Sequence, residues 1–176
     1  RSKNWQRLRL LVTVGTEAAL LEDVGRSSFF AMTPIVPLGF FDTDQLRRMA
    51  QLHYLETTDE DITRLHDLVG GHPYLSRVAI FQAVLNKTTL TAVLDGAQDL
   101  TGGLYAAHLT RNLHWLQERN LYDCILEVLR TPRCQLKLEQ YSQLYSRGLV
   151  VRDKPGSYRF SCNLYETYFR SLCQSL

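Results

Sequence analysis

Residues 68–81, LVGGHPYLSRVAIF, place two glycines, a histidine and a proline at the mouth of an apolar run. Glycine lets a ligand approach the backbone closely. A proline ring is a flat apolar surface that can lie against a base. The N-terminus of a following helix offers free N–H groups and a partial positive charge. Gly70, Gly71, His72, Pro73 and Tyr74 are therefore candidates for the edge of a nucleotide site. Local helix grammar accounts for the same residues, because glycine ends one helix in the left-handed conformation and proline opens the next. From spacing alone, that local account comes first.

The rest of a phosphate site is missing. A phosphate-binding loop needs G-x-x-x-x-G-K-[ST], whose backbone N–H groups cradle the phosphates. The nearest match ends at Lys87-Thr88, with Phe81 and Asn86 where the glycines should stand. No apolar strand ends in paired acids that could hold magnesium, and no G-x-S-x-G serine elbow occurs. His66/His72 and His108/His114 are each six residues apart, not the four that put two ligands on one helix face. They read as packed or solvated histidines. Cys124, Cys134, Cys162 and Cys173 contain no CxxC pair and read as free thiols. No catalytic residue and no metal site is expected.

Net charge is +2, with sixteen Arg against four Lys. Arginine forks suit carboxylates and phosphates, but a solvated arginine surface explains this composition equally well. Arg152, Lys154 and Arg159 could touch a phosphate backbone. The neighbouring segment 136–147 offers only Lys137, Glu139, Gln140, Gln143 and Arg147, a thin basic face for reading DNA. No apolar run approaches the roughly 18 residues of a membrane span, and no basic segment followed by an apolar one opens the chain. The expected compartment is the cytoplasm, with no membrane contact.

These residues need elements to position them. RLRLLVTVG, residues 7–15, reads as a buried strand, 17–23 as a short helix, and PIVPLG, 34–39, as an extended segment. From residue 40 the period becomes helical. Asp42 and Thr43 precede DQLRRMAQLHYL, with Leu46, Met49, Ala50 and His53 on one stripe. Thr57 or Thr58 caps DEDITRLHDLVG, whose early acids suit the helix dipole. The helix from Pro73 is apolar nearly all round and is expected to be buried. TLTAVLDGA is a short helix, and LYAAHLTRNLHWLQER a long one with Leu104, Ala107, His108, Leu113 and Leu116 on its apolar face. LYDCILEVLR and QLKLEQYSQLYSRG follow as helices, the first stopped by Thr131-Pro132 and the second by Gly148. LVVRDKPGSYRFS is a hairpin, and NLYETYFRSLCQSL closes as a helix with a core stripe at 165, 168, 169 and 172. Helix, helix, hairpin is the outline of a winged helix-turn-helix.

The order of these segments resembles the C-terminal half of the AAA-like ATPases of the STAND class, abundant in cyanobacteria and related bacteria. Thr-Pro-Ile-x-x-Pro-Leu-x-x-Phe at 33–41, the DxDQLxxMAQLH helix, LVGGHPYL and GLVVRDKPGSYRFSCNLYETYFR at 148–170 carry the resemblance. It implies a mainly α fold in three parts. Residues 1–39 would be the end of a P-loop ATPase core, 40–119 a helical lid and 120–176 a winged helix. It further implies that Gly15, Thr16 and Glu17 stand at the end of a sensor strand, with Thr16 near the nucleotide. The Gly71-His72-Pro73 turn would face adenine, Pro73 against the base.

The implied cofactor is ATP or ADP, with magnesium held by a missing N-terminal half, and none is expected for this chain alone. Its implied partners are that P-loop half, other proteins and a second copy on activation; DNA is not favoured. The chain would begin partway through the ATPase core and would not hydrolyse ATP, though the longer protein would act as an ATP-dependent switch. Residues 120–176 contain no histidine to meet a β-phosphate. Pro73→Ala and Gly71→Val are expected to weaken nucleotide binding with folding intact. The alternatives are a winged-helix DNA-binding regulator and a helical protein-interaction module.

Overall fold

The computed structural model describes residues 36, 38–97, 99–131 and 133–174. The expected strand at 7–15, the helix at 17–23, Thr16 with its neighbours, residues 34, 35 and 37 of the Pro-rich segment, and Pro132 lie outside the described residues. Residues 36–176 form one compact unit.

Among the described residues that unit is mainly α, with eight helices and one two-stranded sheet. Helix α1 (Thr43–Leu52) begins where Asp42 accepts the Gln45 N–H at 2.8 Å and Gln45 Oε1 accepts the Asp42 N–H at 3.0 Å. This reciprocal cap satisfies two otherwise orphaned donors. Asp42→Ala is expected to destabilise the unit by about 1 kcal/mol, which urea unfolding monitored by circular dichroism would measure. Thr58 and Asp61 repeat the device at the start of α2 (Asp59–Val69). Asp61 also accepts the Thr91 hydroxyl, which ties α2 to α4 (Leu90–Gly96). Desolvation pushes the Asp61 carboxyl upward, but the bonds from Thr91 and Thr58, with Arg64 nearby, outweigh it and hold the group below its usual range.

Helix α3 (Pro73–Leu85) packs on α1, α2 and α4 through Leu75, Ser76, Ala79, Ile80 and Ala83. It is not buried all round: Tyr74 and Phe81 are each 48% exposed and Leu85 61% exposed. A helix against neighbours on one side leaves its other face to solvent whatever that face's polarity. Helix α5 (Ala106–Glu118), with Leu104 just before it, keeps Leu104, Leu113 and Leu116 of the expected stripe against the core and departs from it at Ala107. Its buried face is Leu109, Asn112 and Leu116, continuing from Tyr105, while Ala107 is exposed. The true repeat places a polar asparagine inside, which a search for apolar side chains passes over.

Helices α6 (Tyr122–Arg130) and α7 (Leu138–Ser146) lead into strands β1 (Val150–Lys154) and β2 (Ser157–Phe160), then α8 (Asn163–Gln174). The strands are antiparallel, with Val150 opposite Phe160 and Arg152 opposite Tyr158. Helix α8 packs on α2, α6 and β2. One apolar cluster therefore runs from Leu46 of α1 to Phe169 of α8, with Tyr105, Tyr165 and Phe169 the largest fully buried side chains. The early helices and the helix–hairpin–helix segment share this core.

Candidate functional site

The turn between α2 and α3 is built as local grammar requires. Gly70 caps α2 at φ 60°, its N–H donating to the His66 carbonyl at 2.7 Å, and Pro73 occupies the first turn of α3. Gly71 follows at φ 70°. Tertiary contacts add a second demand on both glycines. A Cβ on Gly70 would collide with the Ser161 carbonyl, and one on Gly71 with the Phe41 carbonyl. The Phe41 N–H also donates to the Gly71 carbonyl at 2.8 Å. The close approach that glycine permits is thus taken up by this chain's own backbone.

Beyond the glycines, His72 turns inward. Its ring stacks with Phe40 at 5.7 Å and meets the rings of His108 and Tyr165 edge-on at 6.4 and 6.2 Å. A Cβ on Gly148 would stand 2.7 Å from His72 Nε2, so the imidazole lies directly on the turn after α7. Burial pushes the His72 pKa down, and its Nδ1 is buried with no hydrogen-bond partner; the Ser76 hydroxyl, one turn along α3, is buried in the same condition. Pro73 is half-buried, while Tyr74 is exposed and tilts against His108 at 5.1 Å. Of the five candidates, Tyr74 is exposed, Gly70, His72 and Pro73 are half-buried, and Gly71 is buried.

His108 is the centre that sequence spacing did not reveal. Its Nε2 lies 2.8 Å from the Tyr165 hydroxyl and 2.9 Å from Asn112 Nδ2. Arg147 Nε donates to Asn112 Oδ1 at 2.9 Å. The Arg147 guanidinium also lies 5.3 Å from the Trp115 ring. Burial first, then the positive fields of His72, Arg111 and Arg147, push the His108 pKa down to about 4. Burial also raises the Tyr165 pKa and pushes the Cys162 thiol up to about 11. Both therefore stay protonated near neutral pH, and Cys162 is no thiolate nucleophile. His72 and His108, which belong to different six-residue pairs in the sequence, meet here across α3 and α5. His66 and His114 do not join them.

The hairpin cations Arg152, Lys154 and Arg159 are all exposed, and two of them also contact neighbours. Arg152 lies over Tyr141 at 4.9 Å and Tyr158 at 5.8 Å. Arg159 donates to the Phe160 carbonyl and lies 3.9 Å from Asp153. Lys154 is exposed. Among the described residues no group of three or more His, Cys, Asp or Glu side chains is placed to hold a metal ion. None of the described helices is long and apolar enough to cross a membrane. Surface hollows lie elsewhere, one lined by Arg64, Asp67, Leu68, Leu94 and Asn163.

This geometry defines a mainly helical domain whose α2–α3 turn is clamped to a helix–hairpin–helix segment. The family model described as AAA-like domain matches residues 1–171, and the chain belongs to that family. The family is of ATPase type and related to nucleotides. Comparison with curated proteins and with solved structures found no match to this chain.

Proposed function

We propose that this chain is the lid and winged-helix portion of a STAND-type regulatory switch, in which the α2–α3 turn senses adenine nucleotide and the segment 120–176 moves with it. The observation that carries this reading is the clamp itself. The turn bearing Pro73 is seated on Ser161–Cys162 through Gly70 and on Gly148 through His72. A ligand that displaces the turn must shift these contacts with it, because packed contacts of this kind are bistable and do not stretch. A ligand that binds one arrangement better than the other shifts the population accordingly.

In this reading Pro73 and Tyr74 present the apolar surface to the base. A phosphate-binding half supplies the phosphate contacts and magnesium, since this sequence carries no G-x-x-x-x-G-K-[ST] loop. The winged helix acts as a moving part; the thin basic face of α7, with Lys137, Gln140, Gln143 and Arg147 beside Glu139, favours a mechanical role over reading DNA.

The test uses the longer protein that includes the phosphate-binding half. Pro73→Ala is expected to weaken ADP binding about fivefold, a loss of about 1 kcal/mol, measured by titration calorimetry. Circular dichroism and thermal melting should change little, since alanine is tolerated at a first helical turn. Unchanged ADP affinity would remove Pro73 from the adenine site. Tight, salt-sensitive binding to duplex DNA would instead favour the DNA-binding regulator.

A further inference from the structure

The Arg147–Asn112–His108–Tyr165 chain has a polarity that only one protonation state of His108 can satisfy. Arginine has donors and no acceptor, so the atom of Asn112 that faces Arg147 Nε must be the amide oxygen. That leaves the Asn112 NH2 group facing His108 Nε2 as a donor. His108 Nε2 must then carry a lone pair, with its proton on Nδ1. The Tyr165 hydroxyl donates to the same nitrogen.

A proton on Nε2 would set donor against donor. Tyr165 can answer by rotating its hydroxyl. Asn112 cannot flip, because that would turn its NH2 group toward Arg147; its amide also reaches the Tyr165 oxygen, but the N–H aimed at His108 Nε2 would still face a donor. Asn112 is also only 1% exposed, so water has no easy way in to mediate.

We propose that this chain of bonds is a proton-operated latch: it fastens α5 to the α7–β1 turn and to α8 while His108 is neutral, and protonation of His108 releases it. Among the described residues, none of the groups that shift His108 would neutralise the new charge. From the α2–α3 turn come His72 and Tyr74, from α5 itself Arg111, from the end of α7 Arg147, and from α8 Tyr165 with Cys162 beside it. The charged members of that set are positive, and no carboxylate stands among the groups that shift His108.

His72 sits edge-on to His108, against Gly148, and a second proton there would add repulsion at the same junction. The released parts are the Gly148 turn and the start of α8, where the Ser161 hydroxyl bonds the Gly148 carbonyl and the Ser161 N–H bonds the Leu149 carbonyl at 3.0 Å. The latch rests on these bonds alone and stands whether or not the turn meets a nucleotide.

The sign follows from proton linkage. His108 is held below its ordinary value, so the closed junction is fully stabilised above about pH 6.5. The stabilisation fades as the pH falls toward the closed-state value of about 4.

The test is hydrogen exchange of the 148–161 amides in residues 1–176, expressed as protection factors so that intrinsic exchange cancels. Between pH 7.5 and 5.0 the wild-type factors are expected to fall about tenfold or more. His108→Gln keeps an acceptor for Asn112 but cannot titrate, so most of that fall should vanish. Asn112→Asp places a carboxylate between Arg147 and His108, and should raise the His108 midpoint in an imidazole NMR titration by about one unit or more.

A wild-type His108 midpoint near its ordinary value overturns the proposal, as does an equal loss of protection in wild type and His108→Gln. If His108→Gln does not fold, the wild-type and Asn112→Asp midpoints decide: an unmoved midpoint counts against the latch, and a raised one supports it.

Discussion

Gly71→Ala is expected to destabilise the 36–176 unit by about 3 kcal/mol, far more than one added methyl group suggests. Gly71 is held at φ 70°, where a side chain costs about 1–2 kcal/mol. Its Cβ would also meet the carbonyl of Phe41, a backbone atom that cannot swing aside. Relieving that overlap breaks the Phe41 N–H bond to the Gly71 carbonyl, a further loss of about 1 kcal/mol. At this chain length each kcal/mol lowers Tm by about 2–4 °C, so a fall of roughly 10 °C is the expected calorimetric result.

Gly156→Ala is the matched comparison. Gly156 has φ 74°, but a Cβ there meets nothing within 4 Å, so only the conformational part applies, about 1–2 kcal/mol. Equal losses at the two positions would show that the Phe41 contact contributes nothing. The same geometry revises the expectation for Gly71→Val: it disturbs folding, so it is no clean probe of ligand binding, and Pro73 is the position to use.

Phe169→Ala is expected to cost about 3–5 kcal/mol, in the range of large-to-small changes at fully buried aromatics. Phe169 is fully buried, stacks on Phe160 of β2 at 5.8 Å and meets Tyr168 edge-on at 5.2 Å. Removing the ring leaves a void between α8 and the hairpin. A two-stranded hairpin is marginal without a packed face, so β1 and β2 should lose protection together with α8. Leu138→Ala, at a side chain 69% exposed, should stay within about 0.5 kcal/mol of wild type. Chemical denaturation midpoints, with amide exchange to localise the loss, would measure both. A loss below about 1 kcal/mol for Phe169→Ala would mean that the hairpin does not depend on α8.

Much of the fold was legible because it is encoded over short distances. Asp42, Thr58, Gly70 and Pro73 each act within about one helical turn, and each is one of the positions the pattern offers for its cap. The Pro155-Gly156 turn likewise marks the hairpin. The apolar stripe of α5 holds at Leu104, Leu113 and Leu116, but the stripe omits Asn112, whose bonds to Arg147 and His108 make its burial tolerable. The exposed face of α3 was missed because composition does not say how many sides of a helix find neighbours.

The GGHPY turn shows the division most clearly. Its residue types determine by themselves that one helix ends and another begins, because left-handed glycine and N-terminal proline obey backbone sterics within a few residues. Only the tertiary structure decides what the turn touches. Phe41, Gly148 and Ser161 approach it from distant parts of the chain, and His72 meets His108 and Tyr165 through packing of α3, α5 and α8. No spacing in the sequence records such contacts, because they depend on how whole helices pack into a common core.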